Sequence, residues 1–195
     1  MIFSKSKRAT QRQYERVSIF IEGKLKLKIN KEKTKVSKLN QVKYLGYTFY
    51  KTKGECRLRV HPKSINKLKD KIRMVTGRSN GMSIEGRKIK LNQIIRGWVQ
   101  YFKMADMKTI MTSIDEWLRR RIRMVTWKRW KKVKTKFINL QKLGVARQKA
   151  WEWANTRKSY WHTANSWILS TTLTNARFDK QGYLSFFRYY LEVRV

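Results

Sequence analysis

The chain has 195 residues, and its 48 Lys and Arg against 12 Asp and Glu give a formal net charge of +36 at pH 7 and a pI near 10.8. Hydrophobic residues at 41% allow a packed core and exclude general disorder, while a compact chain this basic repels itself and calls for a polyanionic partner. One cysteine (Cys56) and two distant histidines (His61, His162) exclude an internal disulfide, a thiolate cluster and a zinc spacing, and no apolar run reaches the roughly 20 residues of a membrane span, so a soluble, cytoplasmic protein without membrane attachment is expected.

The start, MIFSKSKRATQRQ, is basic and acid-poor as an organellar leader is, but its apolar spacing continues without a break into residues 14 to 21, so it is read as part of the fold. Ile2 and Phe3 read as the end of a strand. Residues 7 to 22 have helical spacing, with Tyr14, Val17, Phe20 and Ile21 on one face and Gly23 as a stop. LKLKIN, 25 to 30, alternates apolar and basic residues like a half-buried strand. VKYLGYTFYKTKGECRLRV, 42 to 60, predicts a hairpin turning at Lys53-Gly54, and Pro62, the only proline, marks a boundary.

From Lys63 onward strand signals give way to helices. One spans 63 to 76 and closes in the GRSNG turn at 77 to 81; another runs from Ser83 to about Lys103, with Ile84, Leu91, Ile95, Trp98 and Phe102 on one face. A longer one runs from about Met107 to Lys134, its apolar face formed by Met107, Met111, Ile114, Leu118, Ile122 and Val125. Gly144 ends the connection after it. Short helices at 145 to 155 and 159 to 169 and a mixed tail complete an α+β chain: a small β-α-β-hairpin part (1 to 61) and a larger, mainly helical part (63 to 195).

WLRRRIRMVTWKRWKKVKTK, 117 to 136, holds ten Lys or Arg, no acid and three Trp. With Leu118 at the centre of the buried face, Arg120, Arg123, Trp127, Lys131 and Lys134 fall on the opposite side, with Trp130 flanking and Arg119 at the edge. Cations draw in phosphates and release counterions, and indole rings stack on bases, so this stretch, with Lys128 and Lys132, points to nucleic acid. The plainer reading is a solvated face with Trp127 or Trp130 packed against a neighbouring helix; the ten-to-none charge ratio favours nucleic acid. Chemistry is not visible: Asp70, Asp106, Asp115 and Asp179 follow no strand, and the adjacent pair Asp115-Glu116 points about 100° apart on a helix, a poor Mg²⁺ clamp. Ion pairs to Arg119 and Arg120 are expected of that pair instead. No catalytic residue and no metal site is predicted.

The ordered series FSKSKRATQRQYERVSIFIEGKLKLKINKEKTKV, VKYLGYTF, LNQIIRGWVQYF, DEWLRRRIRMVTWKRWKK, NLQKLGV, ANTRKSYW and TTLTNARFDKQGYLSFFRYY resembles the late palm and the thumb, or maturase domain, of bacterial group II intron reverse transcriptases. The resemblance implies an incomplete palm over 1 to 61 and a helical thumb over 63 to 195. It implies binding of group II intron RNA in support of splicing, a thumb for RNA-directed DNA synthesis against a template-primer duplex, and contact with the N-terminal reverse-transcriptase part. The Tyr-Ala-Asp-Asp hairpin that holds catalytic aspartates in the family, and lies there just before the segment matching Ile2-Phe3, is not in this sequence. The implied chain is therefore a C-terminal piece without polymerase activity alone and without a cofactor, Mg²⁺ being a requirement of full-length members, and its 1 to 61 part would expose a strand edge.

Residue by residue, Asn30, Lys33 and Thr34 match the family's strand motif beside nucleotide and template, against a plain turn and strand end. Tyr44, Leu45 and Gly46 match the primer-grip hairpin, against an ordinary strand with a glycine bulge. Gln93, Arg96, Gln100 and Lys103, with the 119 to 132 stretch, would contact intron RNA or a duplex. Arg157, Lys158, Tyr160 and Trp161 form a second basic-aromatic cluster, or else a helix start with both rings in the core. Two other functions stay open: a DNA-binding module of another mobile-element protein, and a non-specific basic RNA-binding protein.

Overall fold

Residues 2–194 are described by a computed structural model of the chain, so the outermost residues of the two expected parts, Met1 and Val195, lie outside it. α1 (Lys7–Ile19) begins at Ser6, whose Oγ accepts from Ala9 N at 3.2 Å, and runs into a π-turn at Phe20–Lys24. None of its residues is buried, and no described residue before Thr48 is. The strands expected at Ile2-Phe3 and at 25 to 30 are absent: both stretches are irregular, and Phe3, Leu25 and Leu27 are exposed. Alternating apolar residues become a strand only where a partner backbone takes up their hydrogen bonds, and none lies beside them.

Among the described residues the sheet is a single antiparallel hairpin of β1 (Tyr47–Thr52) and β2 (Glu55–Val60). Its turn is the expected Lys53-Gly54, at φ 47° and 83°, the left-handed pair that fits the strand twist. The hairpin docks on the helices C-terminal to it. Val60 enters the common core, Asp106 N donates to Leu58 O at 2.8 Å, and Tyr50 Oη donates to Asp106 Oδ2 at 2.8 Å.

α2 (Pro62–Val75) has proline at its first position, where no N–H is needed, and His61 as cap. Its carbonyl end is closed by arginine: Arg87 Nε donates to Val75 O at 2.9 Å, and Arg121 donates to Thr76 Oγ1 and O. α3 (Ile84–Phe102) starts at Ser83, whose Oγ accepts from Gly86 N at 3.0 Å, and buries Leu91, Ile95, Val99 and Phe102. α4 (Lys108–Arg129) buries Met111, Ile114, Leu118, Ile122 and Val125 as the spacing predicts, each such side chain contributing about 1.5–3 kcal/mol.

α4 stops five residues short of the expected end at Lys134. No glycine or proline marks the break. Trp127 is buried and Trp130 turns its edge against it at 5.8 Å, leaving the helix at φ −78°, ψ 61°. The chain restarts as α5 (Val133–Lys142) and, after Gly144 at φ 91°, as α6 (Arg147–Ala154). The helix expected at 159 to 169 is two, α7 (Tyr160–Thr163) and α8 (Trp167–Thr172). The tail forms α9 (Asn175–Lys180) and α10 (Phe186–Val193). Asp115 does not pair with Arg119 or Arg120. It caps α10 instead, accepting from Ser185 Oγ, Phe186 N and Phe187 N at 2.6, 2.8 and 2.9 Å. A carboxylate at a helix N-terminus outcompetes an exposed ion pair because it satisfies several orphan donors at once. The whole is α+β and mainly helical.

Candidate nucleic-acid interface

The side of α3 opposite the core carries polar and basic residues together with exposed Ile89 and Tyr101, and its one acid, Glu85 in the first turn, pairs with Lys88 at 2.8 Å. Gln93, Arg96 and Gln100 are exposed along one stripe with Lys90, and Lys103, at the helix end, is half-buried. Gly97 lies within that stripe. It is exposed, and an added Cβ would meet nothing within 4 Å. Glycine inside a helix costs about 1 kcal/mol against alanine, and no neighbour in the fold needs the space.

The 117 to 136 stretch is less open than its composition suggests. Arg119 is buried, with Nη2 on Asp179 Oδ1 at 2.8 Å; burial lowers its pKa, and the Asp179 charge partly restores it. Arg120 stacks on Trp161, its guanidinium 3.8 Å from the ring centroid, and donates to Trp161 O at 3.0 and 3.3 Å. Arg123 Nε donates to Leu173 O at 2.9 Å. Trp127 is only 1% exposed, with Lys136 Nζ 4.6 Å from its ring centroid. The expected stripe of Arg120, Arg123 and Trp127 is thus an internal seam joining α4 to α7–α9, because their planar groups find carbonyls and rings there that a solvated face does not offer. Lys131, Lys132 and Lys134 are exposed but lie beyond the break in the helix; Lys128 reaches Ser79 Oγ at 3.1 Å, and Trp130 is half-buried.

Arg157 and Lys158 are exposed just before α7, while Tyr160 and Trp161 are half-buried against the helices. Asn30 forms a turn, its Oδ1 accepting from Lys33 N at 3.0 Å and its O from Thr34 N at 2.9 Å; the backbone on both sides of it, 26 to 38, holds no strand. Leu45 and Gly46, at φ 49° and 84°, turn the chain between Tyr44 and Tyr47, which exchange backbone hydrogen bonds at 3.0 and 2.8 Å. This is a two-residue hairpin rather than a bulge. It is anchored on α3 by Tyr101 Oη donating to Leu45 O at 2.9 Å, and a side chain at Gly46 would meet Phe102 and Ser64 Oγ at 3.0 Å.

Residues 65–144, α2 through the turn after α5, match the family model described as group II intron, maturase-specific domain. The chain carries a maturase-specific domain. No curated protein matches the chain. The maturase domain ties the chain to group II introns and their splicing, and it contains the whole of α3 and α4; Asn30 to Gly46 and Arg157-Lys158 lie outside the match. Two features of the domain are missing from the expected site. Gly97 was legible as a lone glycine amid polar helix positions. The cations around Trp117 were not, because they come from two helices far apart along the chain. Among the described residues, no three His, Cys, Asp or Glu come together as a metal site, and no helix is long and apolar enough to cross a membrane.

Proposed function

We propose that the maturase domain is an RNA-binding module that holds folded group II intron RNA for splicing, with the outer face of α3 as its principal contact. The observation behind this is Gly97: a helix that gives up about 1 kcal/mol of propensity at an exposed position, between Gln93, Arg96 and Gln100, has room for a backbone from outside to approach closely. The flanking amides and guanidinium supply hydrogen bonds to sugar and phosphate oxygens, as RNA read by shape requires. The same face serves as the thumb against a template-primer duplex, with the turn at Tyr44–Gly46 tethered beside it. The module performs no chemistry of its own and needs no cofactor; of its aspartates, Asp115 caps a helix, and Asp70, Asp106 and Asp179 pair with arginines. Mg²⁺ belongs to the polymerase centre of a full-length family member. Its place is the cytoplasm, with the intron transcript.

Filter binding with a folded group II intron transcript and a length-matched unstructured RNA, each in excess competitor, tests the reading. A preference of about tenfold or more, ~1.4 kcal/mol, is expected. Equal binding overturns it in favour of a non-specific basic protein, and tighter binding to duplex DNA at matched salt in favour of a DNA-binding module. Primer extension by the purified chain with Mg²⁺ would contradict the absence of chemistry.

A further inference from the structure

Trp117 is where cations of α2 and α4 meet. Lys69 and Arg73 reach it from α2 and Arg121 from the next turn of α4, their charged groups 5.9, 5.7 and 5.3 Å from the ring centroid. Arg78, exposed in the turn after α2, adds a fourth cation, 5.8 Å from the Tyr160 ring. The opposing charge is small. Asp70 pairs with Arg73 at 2.6 Å at the surface, and Glu116, next to Trp117 but turned about 100° away on the helix, is exposed. Arg121 is held in place by Thr76, and its pKa is lowered by burial first and then by Arg73 and Arg78.

Folding alone gains little from this arrangement. Each cation over a half-buried ring at the surface is worth about 0.5–1 kcal/mol, and the four positive charges repel one another. Arg73 keeps about half its side chain open to solvent (53%) despite its carboxylate partner. A phosphodiester backbone resolves the repulsion, since forked guanidiniums bind phosphate oxygens in pairs. The ring itself is occupied by cations, so its part is to gather them rather than to stack on a base.

We propose that Lys69, Arg73 and Arg121, gathered by Trp117 on α2 and α4, form with Arg78 of the following turn a second RNA site that grips consecutive backbone phosphates irrespective of sequence. This rests on the RNA-binding reading above but uses none of the α3 face.

The test uses the full chain and a mixed-sequence RNA duplex, so that it does not depend on intron preference. Binding is followed between about 50 and 200 mM salt, where each phosphate contact contributes about one to the slope of log K against log salt. R73Q/R78Q is expected to lower the slope by about two. K142Q/R147Q, the same loss of charge at exposed positions of α5 and α6, should leave it within about half a unit. Trp117→Leu should lower the slope while Trp117→Phe, which keeps a ring, restores it. Equal losses from the two double variants, or no loss from R73Q/R78Q in a chain that binds the duplex, overturns the site. Displacement of the duplex by polyglutamate at equal charge overturns the assignment to RNA in favour of an acidic protein. If intron and control RNA bind equally, the function proposed above fails while the slope difference still decides the site.

Discussion

His61 brings pH into the fold. Its Nδ1 accepts from Lys63 N at 3.1 Å, a bond only the neutral ring can make. Burial first, then the charges of Lys43, Lys63 and Arg59, lower its pKa from the usual 6.5. The unfolded chain therefore takes up a proton at higher pH than the folded one. The cap's contribution is complete above about pH 6.5 and is lost as pH falls through that value toward the lower folded pKa. Between about pH 7.5 and 5.5 the thermal midpoint should fall further for the wild type than for His61→Ser, which caps without titrating; parallel curves would show that another group governs the slope. Trp127 teaches a different lesson at this scale. Its place opposite Leu118 made it a candidate for stacking on bases, but aromatic rings buried beside cationic neighbours give the same local pattern. The indole here is core, with Lys136 over it.

At the scale of elements, α3 makes opposed demands at one position. Nothing in the fold fills the space beside Gly97, so Gly97→Ala should stabilise the chain by about 0.5–1 kcal/mol through helix propensity and a stiffer unfolded state. The same methyl group should weaken binding of the intron transcript on the order of fivefold, ~1 kcal/mol, if a backbone approaches there. Denaturation and titration on one preparation measure both. Higher stability with unchanged affinity would remove α3 from the interface. α4 shows what periodicity alone misses: its apolar face is as predicted, yet its end comes where half-buried Trp130 packs on buried Trp127, not at a residue that breaks helices. The strand expected at 25 to 30 failed for a related reason, since a strand is a property of a pair.

For the molecule as a whole, the helices from α2 onward share a core with the hairpin, whereas residues 2–43 bury no side chain. An isolated helix of 13 residues, the length of α1, is marginal in water. Backbone amides in 7 to 24 should therefore exchange with solvent orders of magnitude faster than those in α3 and α4; equal protection would mean that α1 is stabilised by packing absent from this fold. The positions of α2 and α3, the apolar faces of α3 and α4, the Lys53-Gly54 turn and the net charge were legible in the sequence, because spacing, turn chemistry and charge are local or additive. Which cations stay free was not. Arg119 meets Asp179, Arg120 meets Trp161 and Arg123 meets Leu173 O, partners on α7 to α9 and the turn between α8 and α9. Lys69, Arg73, Arg78 and Arg121 come together only when α2 lies beside α4. The sequence by itself determined how much positive charge the protein carries and on which helices. Only the tertiary structure decided which of it faces outward, because burial and pairing depend on contacts between residues far apart along the chain.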